Sequence, residues 1–129
     1  MPITALYAAL LAPLYIILAG RVIRARRAGK IAVGDGGDTT LLRRMRVHAN
    51  FAEYVPFALI LLGLSESLGS PPLLLHAIGA ALLLGRLSHA IGMSRDNEIL
   101  AFRGMGMIAT FTVIIVAALS CLAAIFTRG

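Results

Sequence analysis

Acidic residues are scarce in this chain, with six Asp and Glu against twelve Lys and Arg in 129 residues. Charge of either sign makes up only 14% of the sequence, where a soluble domain carries about 25%. With 59% hydrophobic residues and a mean hydropathy of +0.88, that shortage places the bulk of the chain in lipid. Cysteine is nearly absent. Cys121 stands alone in an apolar stretch, which excludes a disulfide framework and a Cys-rich metal site and suits a small packing residue. The formal net charge of +6 raises nucleic acid as a partner. The basic residues, however, cluster beside apolar spans with no aromatic interleaving. Anionic lipid head groups are therefore the expected partner, and nucleic acid is not. No repeat or low-complexity tract is evident, and the length fits one domain, 1–129.

Four apolar stretches approach the roughly 20 helical residues that cross a bilayer: about Ile3 to Ile23, His48 to Leu68, Pro72 to Gly92 and Met105 to Phe126. The expectation is an all-α integral membrane protein built as a four-transmembrane-helix bundle. The first stretch has no basic residue before it and several after it, the reverse of a secretory signal, so it reads as a retained span. It also lacks any acidic residue, which argues against a small four-helix drug exporter, a class that needs a carboxylate there.

The segment from Arg21 to Val47 holds Arg21, Arg24, Arg26, Arg27, Lys30, Arg43, Arg44 and Arg46 against only Asp35 and Asp38. The turn Gly69-Ser-Pro-Pro72 has no charge, and the connection from Met93 to Gly104 carries Arg95 and Arg103. Basic connections stay in the cytoplasm, so the first and third connections are expected inside and both termini outside. Gly34-Asp35-Gly36-Gly37-Asp38 has turn composition and too few ligands for a calcium loop, so it reads as a hinge. Asp38, Thr39 or Thr40 would cap a second helix that starts before the membrane.

The informative run is Arg46-Val-His48-Ala-Asn50-Phe-Ala-Glu53-Tyr54-Val-Pro56. Arg46, Asn50, Glu53 and Phe57 are spaced by four, three and four, which sets them one above another on a helix. Polar and charged groups at such depth are costly, so they mark a site by default. Each residue also has a plainer reading. Arg46 can snorkel to lipid phosphate, and Asn50 can hydrogen-bond a neighbouring helix. Glu53 needs a neutralising partner, and Arg86 in span three could supply it with no chemistry involved. His89, three residues on, suits a hydrogen-bonded bundle residue better than a metal ligand, since no further ligands stand at convincing spacing. Arg103 alone reads as a cytoplasmic anchor, Glu66 as a carboxylate facing interfacial water, and Gly79, Gly85 and Gly92 as close helix packing. Taken together, arginines suit carboxylates, a glutamate suits an amine and an asparagine suits a peptide amide. That is the complement of a small zwitterionic peptide with extra carboxylates.

The pattern Arg46-x-His48-x-Asn50-x-x-Glu53-Tyr54-x-Pro56, with Gly85-Arg86-Leu87-x-His89-x-x-Gly92 in span three, resembles the two signature blocks of the MAPEG family. These are membrane-associated proteins in eicosanoid and glutathione metabolism. The likeness covers essentially the whole chain. Gly34-Asp35-Gly36-Gly37 ahead of Arg46-x-His48 looks most like a bacterial branch, which implies a bacterial inner membrane. The resemblance implies a homotrimer with glutathione, as cosubstrate, held between protomers near the cytoplasmic side. Arg46, Asn50 and Glu53 would then hold the peptide, and Arg86 and His89 would line the same cleft. Arg103 best matches the arginine that activates the thiol in family enzymes. Two positions depart from the pattern. Met93 stands where several members have a tyrosine, and Gly104 where prostaglandin E synthase has a serine. Thiolate stabilisation would then rest on Arg103, with water or Ser94.

The implied activity is a glutathione transferase or peroxidase acting on lipophilic electrophiles or lipid hydroperoxides that enter from the bilayer. Met93 and Gly104 favour the alternative, a non-catalytic binding or scaffold protein of the same fold.

Overall fold

The computed structural model of the chain describes residues 1–95 and 97–128. The described residues form four helices, α1 (Pro2–Gly29), α2 (Thr39–Ser67), α3 (Pro72–Met93) and α4 (Leu100–Arg128), all long and apolar enough to cross a membrane. The protein is an all-helical, multi-pass integral membrane protein.

Local chemistry sets each boundary. Pro2 begins α1 at a position where its missing N–H is no loss. The helix closes on Lys30 in the left-handed conformation (φ 52°), whose N–H donates to the Arg27 carbonyl while that of Ile31 donates to Arg26. Arg26 and Arg27 add positive charge where the helix dipole is negative. The expected hinge needs left-handed backbone at Gly34, Gly36 and Gly37 (φ 71°, 58° and 77°), which only glycine adopts freely. Asp38 then caps α2, accepting the N–H groups of Thr40 and Leu41 at 2.8 and 3.0 Å. At the other end Gly69 turns left-handed (φ 77°) and Pro72 opens α3.

Two helices outrun their expected spans, α1 continuing past Ile23 to Gly29 and α4 beginning at Leu100 rather than Met105, while α2 begins at Thr39, ahead of its apolar span as expected. Hydropathy marks only the apolar part of a helix. The backbone ladder continues into the head-group zone, where arginine side chains reach water or phosphate. A second correction concerns Glu66. It does not simply face interfacial water but accepts from the N–H groups of Ile3 and Thr4 and from the Thr4 hydroxyl, at 3.0, 2.8 and 2.7 Å. These are donors that no earlier turn of α1 could satisfy, and the carboxylate also complements the positive end of the helix.

α3 packs most extensively on α4, α2 and α3 meet across the middle, and α1 and α4 stay apart at opposite corners. The core is Leu11, Phe51, Val55, Ala58, Leu62, Leu82, Val113 and Ala117. Small residues govern the closest crossings, as expected from the glycines of span three. At Gly79 the Tyr7 ring fills the space a methyl would need. A methyl on Gly85 would stand 2.8 Å from the Ala109 methyl, and one on Gly106 would stand 2.7 Å from the His89 nitrogen. α3 and α4 are therefore in near backbone contact at the level of His89.

Candidate functional site

The α2–α3 crossing holds a buried guanidinium. Arg86 is 1% exposed and reaches across from α3, its Nη2 donating to Asn50 Oδ1 on α2 at 2.7 Å. The same Nη2 lies 3.2 Å from His89 Nδ1, three residues along α3, where the helical turn brings the two side chains together. His89 is also 1% exposed. The Arg86 guanidinium carbon sits 5.8 Å from the centre of the Phe51 ring, within reach of a cation–π attraction. Its Nε and Nη1 are buried and have no partner among the described residues.

The expected pairing of Arg86 with Glu53 is not what the structure shows. Asn50 takes the arginine instead, and Glu53 is exposed on the outward face of α2 with Arg46 and Phe57. The reason is angular. At about 100° per residue Glu53 lies roughly 60° around the helix from Asn50. The buried face of α2, through Val47, Phe51 and Val55, is on the far side. Asn50 flanks that face and can reach inward, whereas Glu53 cannot. Of the six expected site residues, the structure thus groups Asn50, Arg86 and His89, sets Arg46 and Glu53 outward, and places Arg103 at the head of α4.

Arg103 lies inside the first turns of α4, its N–H bonded to the Ile99 carbonyl at 3.1 Å. It is close to the buried cluster through the backbone. Gly92 of α3 packs on the Arg103 nitrogen, and Gly106, one turn beyond, packs on His89. Its charge has a partner that sequence reasoning missed. Glu98 accepts from Arg103 Nη1 at 3.3 and 3.1 Å and from Arg43 Nη1 of α2 at 2.6 Å. A signal was available, since Glu98 is a carboxylate in a basic connection directly before a helix start, where negative charge is favoured. Burial alone would favour its neutral form. Hydrogen bonds and charge from Arg103 and Arg43 outweigh that and hold the Glu98 carboxyl below its ordinary range. With two guanidiniums on one carboxylate, the group keeps a net charge of +1.

Ser94, expected beside Arg103, lies instead against α1, its carbonyl 3.5 Å from Arg21 Nη2. Met93 is half-buried against the core, and a side chain at Gly104 would meet nothing within 4 Å, so the missing hydroxyl there is not a matter of space. His48 and His76 sit at opposite ends of the bundle, His76 bonded to the Tyr7 hydroxyl. Cys121 is half-buried, its sulfur 3.2 Å from the Ser65 hydroxyl, in keeping with a packing role.

The model of the MAPEG family matches residues 4–123. The chain belongs to the MAPEG family. It is also similar to "Inner membrane protein YecN" of Escherichia coli strain K12 and of an Escherichia coli O6:H1 strain. Each is 35% identical over 118 residues, covering 92% of this chain and 88% of the relative. Within this MAPEG bundle, the two blocks that carried the resemblance meet physically as Asn50 of α2 and Arg86 with His89 of α3.

Proposed function

We propose that this MAPEG protein binds glutathione in the membrane and uses it against lipophilic electrophiles or lipid hydroperoxides. The observation that carries the reading is Arg86, a buried guanidinium with two unpaired nitrogens and no carboxylate in reach among the described residues. An uncompensated buried charge costs several kcal/mol, as a rough estimate. A ligand carboxylate accepting from Nε or Nη1 would offset that cost. Asn50 and His89 hold the guanidinium from one side and leave Nε and Nη1 free. The peptide suits this donor set, because it brings carboxylates for arginine and an amine for a glutamate.

In this reading Arg103 stabilises the thiolate. It stands at the positive end of α4, and the net charge of +1 on Arg43, Glu98 and Arg103 favours the anion. Arg46 and Glu53 face outward and would hold the peptide across a protomer boundary, in a homotrimer. The competing reading is a binding or scaffold protein without chemistry, favoured by the engagement of Arg103 with Glu98 and by Met93 and Gly104. Purified protein with added glutathione separates the two. A thiolate difference spectrum that grows with glutathione and saturates supports the enzyme. Saturable binding without thiolate supports the scaffold, and no binding overturns both.

Assembly and orientation follow. Charged Arg46 and Glu53 on an outward helix face are costly in lipid unless neighbours or water cover them. In mild detergent the particle should have the mass of three chains, and a monomer that retains glutathione binding would count against the trimer. The eight basic residues from Arg21 to Arg46 favour the cytoplasmic side of an inner membrane for that connection. A reporter fused after Gly129 should then be active only outside the cytoplasm, and cytoplasmic activity would reverse the placement of the site.

A further inference from the structure

A second concentration of unpaired polar atoms lies away from the Arg86 cluster, between α1 and α3. A groove of about 390 Å³ opens there, which falls in the size range of small-molecule sites, about 300–1,000 Å³. Its walls are apolar and include Ile17, Leu87 and Ile91, which are 55%, 37% and 48% exposed and so face outward from the bundle. Its mouth is different. Arg21, two turns before the end of α1, stands there with Ser94 and Arg95, which follow α3. Among the described residues the buried Ser94 hydroxyl has no partner, and neither has Nε of Arg44, whose Nη1 reaches the Arg21 carbonyl at 3.4 Å. No described carboxylate forms an ion pair with Arg21, Arg44 or Arg95, since the ion pairs among the described residues all fall on Glu98.

We propose that this groove is a binding site for one anionic phospholipid. An acyl chain lies along Ile17, Leu87 and Ile91, and the phosphate sits between Arg21 and Arg95 with the Ser94 hydroxyl donating to it. The combination argues for a lipid over a free anion. An apolar channel running into the bilayer from a cationic mouth matches an amphiphile, whereas inorganic phosphate would use only the mouth. It also argues for an anionic lipid over a neutral one, because two guanidiniums with no ion pair among the described residues select for charge. The site is independent of the thiol reading, as it shares no residue with Asn50, Arg86, His89 or Arg103.

The test is electron spin resonance of spin-labelled phosphatidylglycerol and phosphatidylcholine, each traced in phosphatidylcholine vesicles holding the full-length protein. The wild type should show a motionally restricted component with a clear preference for phosphatidylglycerol. Arg21→Gln and Arg95→Gln should each reduce that preference by about fivefold, the scale expected for one basic residue at the surface. Arg24→Gln with Arg27→Gln, on the same helix but outside the groove, should reduce it far less. Ile17→Trp, at an exposed wall position, should displace both labels without regard to head-group charge, and millimolar glycerol phosphate should displace neither. Equal restriction of the two lipids by the wild type would overturn the proposal. So would a loss from Arg24→Gln with Arg27→Gln as large as that from Arg21→Gln with Arg95→Gln, which means diffuse attraction. Absence of any restricted component means that another copy of the chain, and not a lipid, covers this face.

Discussion

Arg86→Met should weaken glutathione binding about a hundredfold while leaving the bundle folded. Truncating one partner of a buried, charged hydrogen-bonded pair costs about 2–5 kcal/mol. A hundredfold loss corresponds to roughly 2.7 kcal/mol, within that range. The effect on stability should be much smaller, because two terms oppose. The guanidinium is buried with Nε and Nη1 unpaired, and replacing a buried charge with an apolar chain of similar volume is often neutral or stabilising by about 1–4 kcal/mol. Against this, Asn50 loses the donor it holds at 2.7 Å, and an unsatisfied buried acceptor costs about 1–3 kcal/mol. Arg86→Lys keeps the charge but loses the planar set of separate donors, so it should fall between wild type and Arg86→Met. Titration calorimetry with glutathione and thermal melts in the same detergent would measure both quantities. Wild-type affinity in Arg86→Met would remove this guanidinium from the ligand site.

The elements that depend on local chemistry were legible in the sequence. Asp38 was among the expected caps, Gly69 with Pro72 marked the turn before α3, and the run Gly34-Asp35-Gly36-Gly37 marked the turn before α2. The four apolar lengths set the number of helices. The site was legible in its members and not in its pairings. Spacing alone put Arg46, Asn50 and Glu53 on one stripe, but it does not say which edge of the stripe turns inward. That depends on where Val47, Phe51 and Val55 bury α2, and this is settled by contacts with α1, α3 and α4. Glu98 was missed for a related reason. Its link to Arg43 joins residues 55 positions apart, and nothing periodic announces it. Glu66 likewise bonds to residues 62 and 63 positions away, so its role as a cap on another helix had no local sign.

The second large effect concerns Arg103 and Glu98, which should shift the bound thiol in opposite directions. A free thiol has a pKa of about 8.5, so little is ionised at neutral pH. A nearby cation lowers that value by about 1–3 units. Arg103→Ala should therefore cut the thiolate fraction about tenfold or more at neutral pH, while the Arg86 cluster still binds the peptide. Glu98→Gln should act in reverse, because the net charge of the cluster of Arg43, Arg103 and residue 98 then rises from +1 to +2. Acid should imitate Glu98→Gln in the charge while weakening the link between α2 and the head of α4. The Glu98 carboxyl is held below its ordinary range. The bridge is therefore complete above the ordinary carboxylate range and is lost as pH falls through the lowered value. The thiolate spectrum at neutral pH, recorded for wild type, Arg103→Ala and Glu98→Gln, reads the two substitutions, and thermal melts against pH read the loss of the bridge. Undiminished thiolate in Arg103→Ala would assign the activation to another group. A weaker signal in Glu98→Gln would mean that the carboxylate matters for aiming Arg103, since a purely electrostatic role can only strengthen the signal when that negative charge is removed.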